Sequence, residues 1–286
     1  MLDGDCENLE GESATTSDGV EFALPTAAPD ELVAVLETSL LEAMLDVFDP
    51  LETNVQLSAK GDVGIRLKTR TPRGYYLEAH VGTNQLAEFR PDTANRPVAL
   101  GALERALDRT TADRVAVYGD ADGETELRDG DERHDLTASE TPLGCDHTAI
   151  MAVDKAANEL DFALEAGTIR SLTDSELSRE RLRVTADTAE ETAEFAPVGA
   201  DGTDSLLEVE PDEFVRPPRV NLGLGESAAE RRFGRGPFDA AVTPMRGPVT
   251  VGLPSGSDTR VNFQYTRADG GVTVWAKLGT EQLAQA

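Results

Sequence analysis

A helix-like stretch followed by short strands recurs along this chain at a nearly fixed interval. The first strand after each helix starts near Asn54, Arg114, Leu182 and Val249, at intervals of about 60, 68 and 67 residues, and such a period means one supersecondary unit used repeatedly. A unit of this kind buries its apolar stripe by laying the helix on a sheet face. Two units make a domain of ordinary size, and two domains account for the 286 residues. The expected fold class is therefore α+β: two similar domains, each with helices on one side of an antiparallel sheet. The boundaries read as an acidic tail over 1–19, a first domain over 20–140, a connector over 141–157 and a second domain over 158–286. The connector is placed by a turn-rich stretch with Pro142 and Gly144.

The spacing of Val33, Leu36, Leu40 and Met44 predicts a first helix over 29–46. Strands follow at NVQLSA, VGIRLKT and YYLEAHV, with Lys60–Gly61–Asp62 as a turn. A second helix is expected near 98–110, with Leu100, Leu103 and Leu107 on its apolar face, then strands at DRVAVYG and near 124–128. The third unit offers strand LDFALEA, a short helix near 168–180, and strands RLRVTAD, TAEFAPV and DSLLEVE. A fourth helix near 237–246 is broken by Pro244, and PVTVGLP, TRVNFQYTR and GVTVWAKL close the chain. The Gly-rich pieces NLGLGES and GRGP read as surface insertions. Neither is a phosphate loop, because no Gly-Lys-Ser/Thr ending follows.

Charge sets the solvent. The chain carries 54 acidic and 26 basic residues, a formal net charge of −28. Only Lys60, Lys68, Lys155 and Lys277 are lysines, so the other 22 bases are arginine. Such a charge repels itself and opposes a compact state in dilute buffer. Molar salt cuts the screening length to about 3 Å and removes much of that repulsion, so the composition fits a protein of molar salt. Residues 1–19 hold Asp3, Asp5, Glu7, Glu10, Glu12 and Asp18 with no base. They read as a disordered, solvated tail, or else as an acidic arm for a partner. No apolar run approaches the ~20 residues of a membrane span. With no secretory signal pattern, and with Cys6 and Cys145 as the only cysteines, the expectation is a cytoplasmic protein with no membrane association.

Two stretches carry a family resemblance. The first runs from NVQLSAKGDVGIRLKTRTPRGYYLEAHVGTNQLAEF into PVALGALERAL, and the second is VTVGLPSGSDTRVNFQYTRADGGVTVWAKLGTE. In order and gap length they resemble the archaeal and eukaryotic DNA sliding clamp, proliferating cell nuclear antigen. ERLRVTAD and DSLLEVEPDEFV fit its middle more loosely. With the charge, the resemblance is to a divergent haloarchaeal member. It implies two clamp-like domains in a ring of three subunits, a homotrimer in high salt that encircles duplex DNA. Such a ring tethers replication and repair proteins as a processivity factor or scaffold, uses no cofactor and catalyses nothing.

The resemblance assigns sites residue by residue. Helices facing phosphate need positive charge, which points to Arg105, Arg109, Arg170, Arg179, Arg235 and Arg246. The bland alternative is that these are surface arginines paired with neighbours such as Glu104, Asp108 or Glu176. The first helix departs from the pattern, with Glu31, Glu37 and Glu42 and no base. By position, Tyr75, Leu77, Leu143, Trp275 and Leu278 would form a partner pocket, although Val272, Val274 and Trp275 also suit the core of a terminal strand. The stretch TPLGCDHTAIMAVDKAAN lacks the connector expected of the family. Subunits of this family join strand to strand. The matching segments are Glu124, Glu126 and Leu127 on one side and Leu206, Leu207 and Val209 on the other.

Catalytic readings are weak. The histidines are His80, His134 and His147. Cys145–Asp146–His147 is half a metal site with no second pair to complete it, and adjacency in sequence is not the geometry of a Cys–His nucleophile. No metal and no catalytic residue are assigned. Two rivals stay open: an enzyme on the same kind of fold, and a clamp-derived monomer that never encircles DNA.

Overall fold

The computed structural model describes residues 31–49, 54–61, 63–70, 75–138, 158–173, 181–198, 205–221, 227–254 and 260–279, together with 14–15 and 21–22. Strands β1 (Ala14–Thr15) and β2 (Glu21–Phe22) pair antiparallel with each other. Leu143, Arg179, Cys6, Cys145, His147, the rest of the acidic N-terminal stretch and the 141–157 connector lie outside the described residues.

Leu32–Glu37 is a strand, β3, and the helix α1 begins only at Thr38 and ends at Leu45. Val33, Leu36, Leu40 and Met44 fit a helical stripe, but Leu32 to Leu36 are all buried. The run therefore feeds two faces at strand period. Leu32, Ala34 and Leu36 enter the main core, while Val33 and Val35 pack with Ala116 on the other face. The strand stops where its pairing with the later strand Arg114–Gly119 ends, at Glu37 opposite Arg114.

The first half continues with β4 (Val55–Lys60), β5 (Gly64–Arg70), β6 (Tyr75–Gly82), β7 (Glu88–Arg90), β8 (Asn95–Val98), α2 (Leu100–Leu107), β9 (Arg114–Gly119), β10 (Thr125–Asp129) and β11 (Glu132–Asp135). The second half holds β12 (Asn158–Glu165), α3 (Ala166–Arg170), β13 (Arg181–Asp187), β14 (Thr192–Pro197), β15 (Leu207–Val209), β16 (Arg216–Val220), β17 (Ala228–Gly234), α4 (Arg235–Val242), β18 (Pro248–Pro254), β19 (Val261–Arg267) and β20 (Val272–Leu278). The third helix is shorter and earlier than expected. The fourth starts inside GRGP, so that piece is a strand end and a helix start rather than an insertion. Pro237 is tolerated in the first turn of α4, where backbone N–H groups have no intrahelical acceptor, and the helix ends before Pro244.

Every pairing among the described strands is antiparallel. One sheet runs β11-β10-β9-β3-β7, a second runs β15-β14-β13-β17, and a third runs β16-β12-β18-β19-β20-β6-β5-β4-β8. The long sheet is the other two patterns joined. Its part β20-β19-β18-β12-β16 repeats the order of β11-β10-β9-β3-β7, and its part β6-β5-β4-β8 repeats β15-β14-β13-β17. The join is the β20–β6 pair, from Val272↔Val81 to Leu278↔Tyr75.

The four helices pack on the core side of these sheets. α1 meets α2, β6 and β20, and α3 meets α4. Phe238 of α4 packs on Phe233 and Phe263, with ring centroids 5.3 and 5.9 Å away. Arg267 on β19 holds Asp46, just past α1, at 2.8 Å and so ties the two halves together. Among the described residues, no helix is long and apolar enough to cross a membrane.

Candidate functional site

The helix faces carry most of the expected arginines, in two different states. On α2, Leu100, Leu103, Ala106 and Leu107 are buried. Helical spacing therefore turns Arg105, and Arg109 just beyond the helix, outward. Both are exposed, and neither makes an ion pair among the described residues. Arg246, after α4, is also exposed and, among the described residues, donates only to the nearby carbonyls of Thr243 and Met245, at 2.9 and 2.7 Å. Arg170 and Arg235 are half-buried and hold the helix pair α3–α4 together reciprocally. Arg170 donates to the Met245 carbonyl beyond α4, and Arg235 to the Thr173 carbonyl beyond α3, each at 3.0 Å. Asp239 lies 3.8 Å from Arg235. Partial burial raises the Asp239 carboxyl pKa, and the guanidinium offsets part of that shift. On α1 and at its two ends the exposed charges Glu42, Glu37 and Asp46 are all acidic.

The proposed partner pocket does not assemble as read. Tyr75, Leu77 and Leu278 are fully buried core residues, because alternate residues of β6 and β20 face the helices. Trp275 sits on the opposite face, opposite Glu78 and Gln264 in the two flanking strands. It is half-buried, with its ring 5.4 Å from that of His80. The same face holds Arg66 and Glu78, both buried and 3.5 Å apart. The pattern signal for Tyr75 and Leu77 was correct for a strand but could not say which face met solvent.

The assembly segments also need one correction. β10, with Glu126 and Leu127, lies between β9 and β11. Both its edges are occupied, Leu127 is fully buried, and Glu124 immediately precedes it. Among the described strands the free edge belongs to β11, a short polar run that sequence patterning did not separate from its neighbour. Leu207 and Val209 do lie on an edge strand, β15, with Leu206 just before it. Both edges of the long sheet carry proline, Pro97 in β8 and Pro217–Pro218 in β16. Proline removes a ladder donor and discourages pairing. β11 and β15 contain none. Beside β15 a groove of about 510 Å³ is floored by small side chains such as Ala186, Ala193 and Ala229.

Of the histidines, His80 contacts the Val63 carbonyl at 2.7 Å, and His134 lies on β11, 3.7 Å from Glu132. Among the described residues no group of three His, Cys, Asp or Glu side chains is arranged to hold a metal.

Neither a protein-family model nor a curated protein matches the chain. Among solved structures it is similar to one described as the C-terminal region of FEN-1 bound to A. fulgidus PCNA. The TM-score is 0.61 at 10% identity, over 87% of this chain and 98% of that one. The match covers nearly all of both chains, so the two are of comparable length. The fold is clamp-like. At this identity the likeness extends to the path of the backbone, and the roles of individual residues rest on their own geometry.

Proposed function

We propose that the chain is a DNA sliding clamp subunit, a processivity factor or replication and repair scaffold built from two similar domains. The observation that carries this reading is the β20–β6 joint. By strand order, β20 corresponds to β11 and β6 to β15. The molecule thus contains one copy of a joint whose two parts recur, unpaired among the described strands, as the edges of its other sheets. A head-to-tail contact between such edges generates a ring if the rotation closes. The family resemblance implies closure at three copies around duplex DNA, in the high salt that the charge favours. Arg105, Arg109 and Arg246 would face phosphate, while Arg170 and Arg235 support the α3–α4 pair. The reading assigns no catalytic chemistry and no cofactor.

The test is the mass in molar KCl, by light scattering coupled to size exclusion, for the native chain and for Arg133→Pro. Leu136 N–H bonds to the Thr125 carbonyl at 2.8 Å. Strand alternation therefore turns the Arg133 N–H of β11 away from β10. Proline at 133 should block the free edge and leave the sheet intact. A trimer that becomes a folded monomer in the variant supports the ring. A folded native monomer refutes it.

One observation favours a second reading, a monomeric clamp-derived regulator. The exposed charges on α1 and at its two ends, Glu42, Glu37 and Asp46, are acidic and would repel DNA. A monomer that still binds a canonical clamp would select that reading.

A further inference from the structure

The face of β16, β12, β18 and β19 that points away from the core is polar, with a hollow at its centre. Cross-strand register places Arg216, Ala163, Thr250 and Gln264 in one row and Arg219, Asp161, Gly252 and Asn262 in the next. Ala163 and Gly252 are the short members of these rows, and a cavity of about 450 Å³ is lined by Asp161, Arg216, Arg219, Asn221, Thr250 and Gln264. The Asn158 amide packs directly over Gly252, where a Cβ would meet it at 2.1 Å and force that side chain to move.

Asp161 organises the hollow. It is 7% exposed and fully engaged. Its Oδ1 accepts from Arg216 Nη2 at 2.8 Å and from Arg219 Nε at 3.0 Å, and its Oδ2 accepts from Asn221 at 2.7 Å. Two guanidiniums share one carboxylate, so the cluster keeps a formal charge of +1 within a chain of −28. A guanidinium has five donors. Arg219 commits only Nε, and its terminal nitrogens bond to nothing among the described residues. The Nε of Arg216 is buried without a hydrogen-bond partner. Asp161 therefore fixes both arginines in place, and their spare donors remain for another acceptor.

We infer that this hollow is a binding site for a carboxylate presented by an acidic peptide segment of a partner protein. The planar fork of Arg219 matches a carboxylate in bidentate fashion. The Thr250 hydroxyl and the Gln264 amide stand in the neighbouring row as further donors. Holding the guanidiniums before the ligand arrives lowers the ordering cost of binding. The partner role rests on the scaffold reading above; the anion chemistry does not.

The experiment is fluorescence anisotropy in molar KCl, using a short labelled Asp–Gly repeat peptide and its Asn–Gly counterpart. The native chain should bind the Asp peptide and hold the Asn peptide at least about tenfold more weakly, the scale of one charge-assisted hydrogen-bond pair. Arg219→Gln should weaken the Asp peptide by a similar factor, and Arg219→Lys should recover only part. Arg219 is more than half exposed, so the substitution leaves the fold intact, checked by circular dichroism. Equal binding of the two peptides, or no effect of Arg219→Gln, overturns the proposal. So does displacement by inorganic phosphate at lower concentration than by free aspartate, which would make the hollow a phosphate site. Mass and DNA loading are read on the same samples. A ring that loads on DNA but ignores the Asp peptide refutes this site alone. A monomer that binds the peptide through Arg219 refutes the ring alone.

Discussion

Arg96 and Arg231 occupy matching places in the two halves of the chain. Arg96 stands opposite Leu57 in the β8–β4 pair, and Arg231 opposite Val184 in the β17–β13 pair. Each crosses to the end of the strand that follows a helix. Arg96 donates to the Asp120 carbonyl at 2.7 Å, just past β9, and Arg231 to the Pro254 carbonyl at 2.8 Å, at the end of β18. Each also holds a carboxylate, Asp92 at 2.6 Å and Glu159 at 3.2 Å. The same residue type thus fastens one sheet to another in both halves.

The Arg96 clasp should be the costlier one to break, because its ion pair is the more deeply buried. Removing one partner of a buried pair costs about 3–5 kcal/mol, so Arg96→Ala should lose that much and Arg231→Ala less. Gly119 leaves room for the clasp, since a Cβ there would lie 2.5 Å from the Arg96 guanidinium carbon. Gly119→Ala should therefore cost about 1–3 kcal/mol by overpacking, and distinctly less in an Arg96→Ala background. Urea unfolding in molar KCl measures the cycle, and purely additive losses would disprove the contact.

Tyr75 decides between pocket and core. Its hydroxyl is buried without a hydrogen-bond partner. Burial first, and then Tyr265, pushes its pKa well above the usual 10.0. Tyr75→Phe removes an unsatisfied polar group, so at neutral pH it should leave stability unchanged or raise it by about 1 kcal/mol. The alkaline limb follows from linkage. Above pH 10 the unfolded chain releases a proton that the folded chain retains. Stability is complete below that pH and falls as pH rises, by about 1.4 kcal/mol per pH unit for each such tyrosine. Tyr265 is shifted in the same direction by burial, so Tyr75→Phe should remove one proton's share of the slope and leave the other. Unfolding curves from about pH 9 to about pH 11 test this.

How much of this was legible in the sequence depends on which force set each element. Strands such as Val261–Arg267 alternate cleanly and were readable, because one face is core and the other polar. Leu32–Glu37 was misread because both its faces are buried, and an apolar run without alternation fits either period. β11 and β16 carry no apolar pattern at all, and their pairing is fixed by neighbouring strands. Asp161 looked like one more carboxylate in an acidic chain. Only register brings Arg216 and Arg219, more than fifty residues away, onto its oxygens.

The helix-face arginines should separate by function. Arg105→Glu with Arg109→Glu should leave the unfolding midpoint unchanged while reducing clamp-dependent polymerase processivity. If both contact phosphate, neutralising them should also lower the salt slope of DNA binding by about 0.9 per contact. Arg235→Gln should instead lower stability by about 1–3 kcal/mol, because it leaves the part-buried Thr173 carbonyl without its charged donor, and Arg170→Gln should cost less, because Arg246 still donates to the Met245 carbonyl. An unchanged slope in the double Glu variant would remove the DNA assignment.

Assembly should depend on salt because the free joint is poorer than the internal one. The β20–β6 pair places Val272, Val274, Ala276 and Leu278 opposite Val81, Ala79, Leu77 and Tyr75, an apolar seam down its core face. The free edges offer Leu207 and Val209 on β15, but only Glu132, Arg133, His134 and Asp135 on β11. Glu208 and Glu210 on one side would approach Glu132 and Asp135 on the other. Like charges across a strand pair are destabilising, and Arg133 offsets only part. Backbone hydrogen bonds still favour pairing, so screening sets the balance. Excluded anions such as sulfate would add a smaller push by strengthening apolar burial. Light scattering should therefore show a trimer at molar KCl that dissociates as salt is lowered, and circular dichroism should show unfolding only after dissociation. Charge reversal at Glu132→Lys should shift the dissociation to lower salt. If it shifts to higher salt or does not move, β11 is not the joining edge.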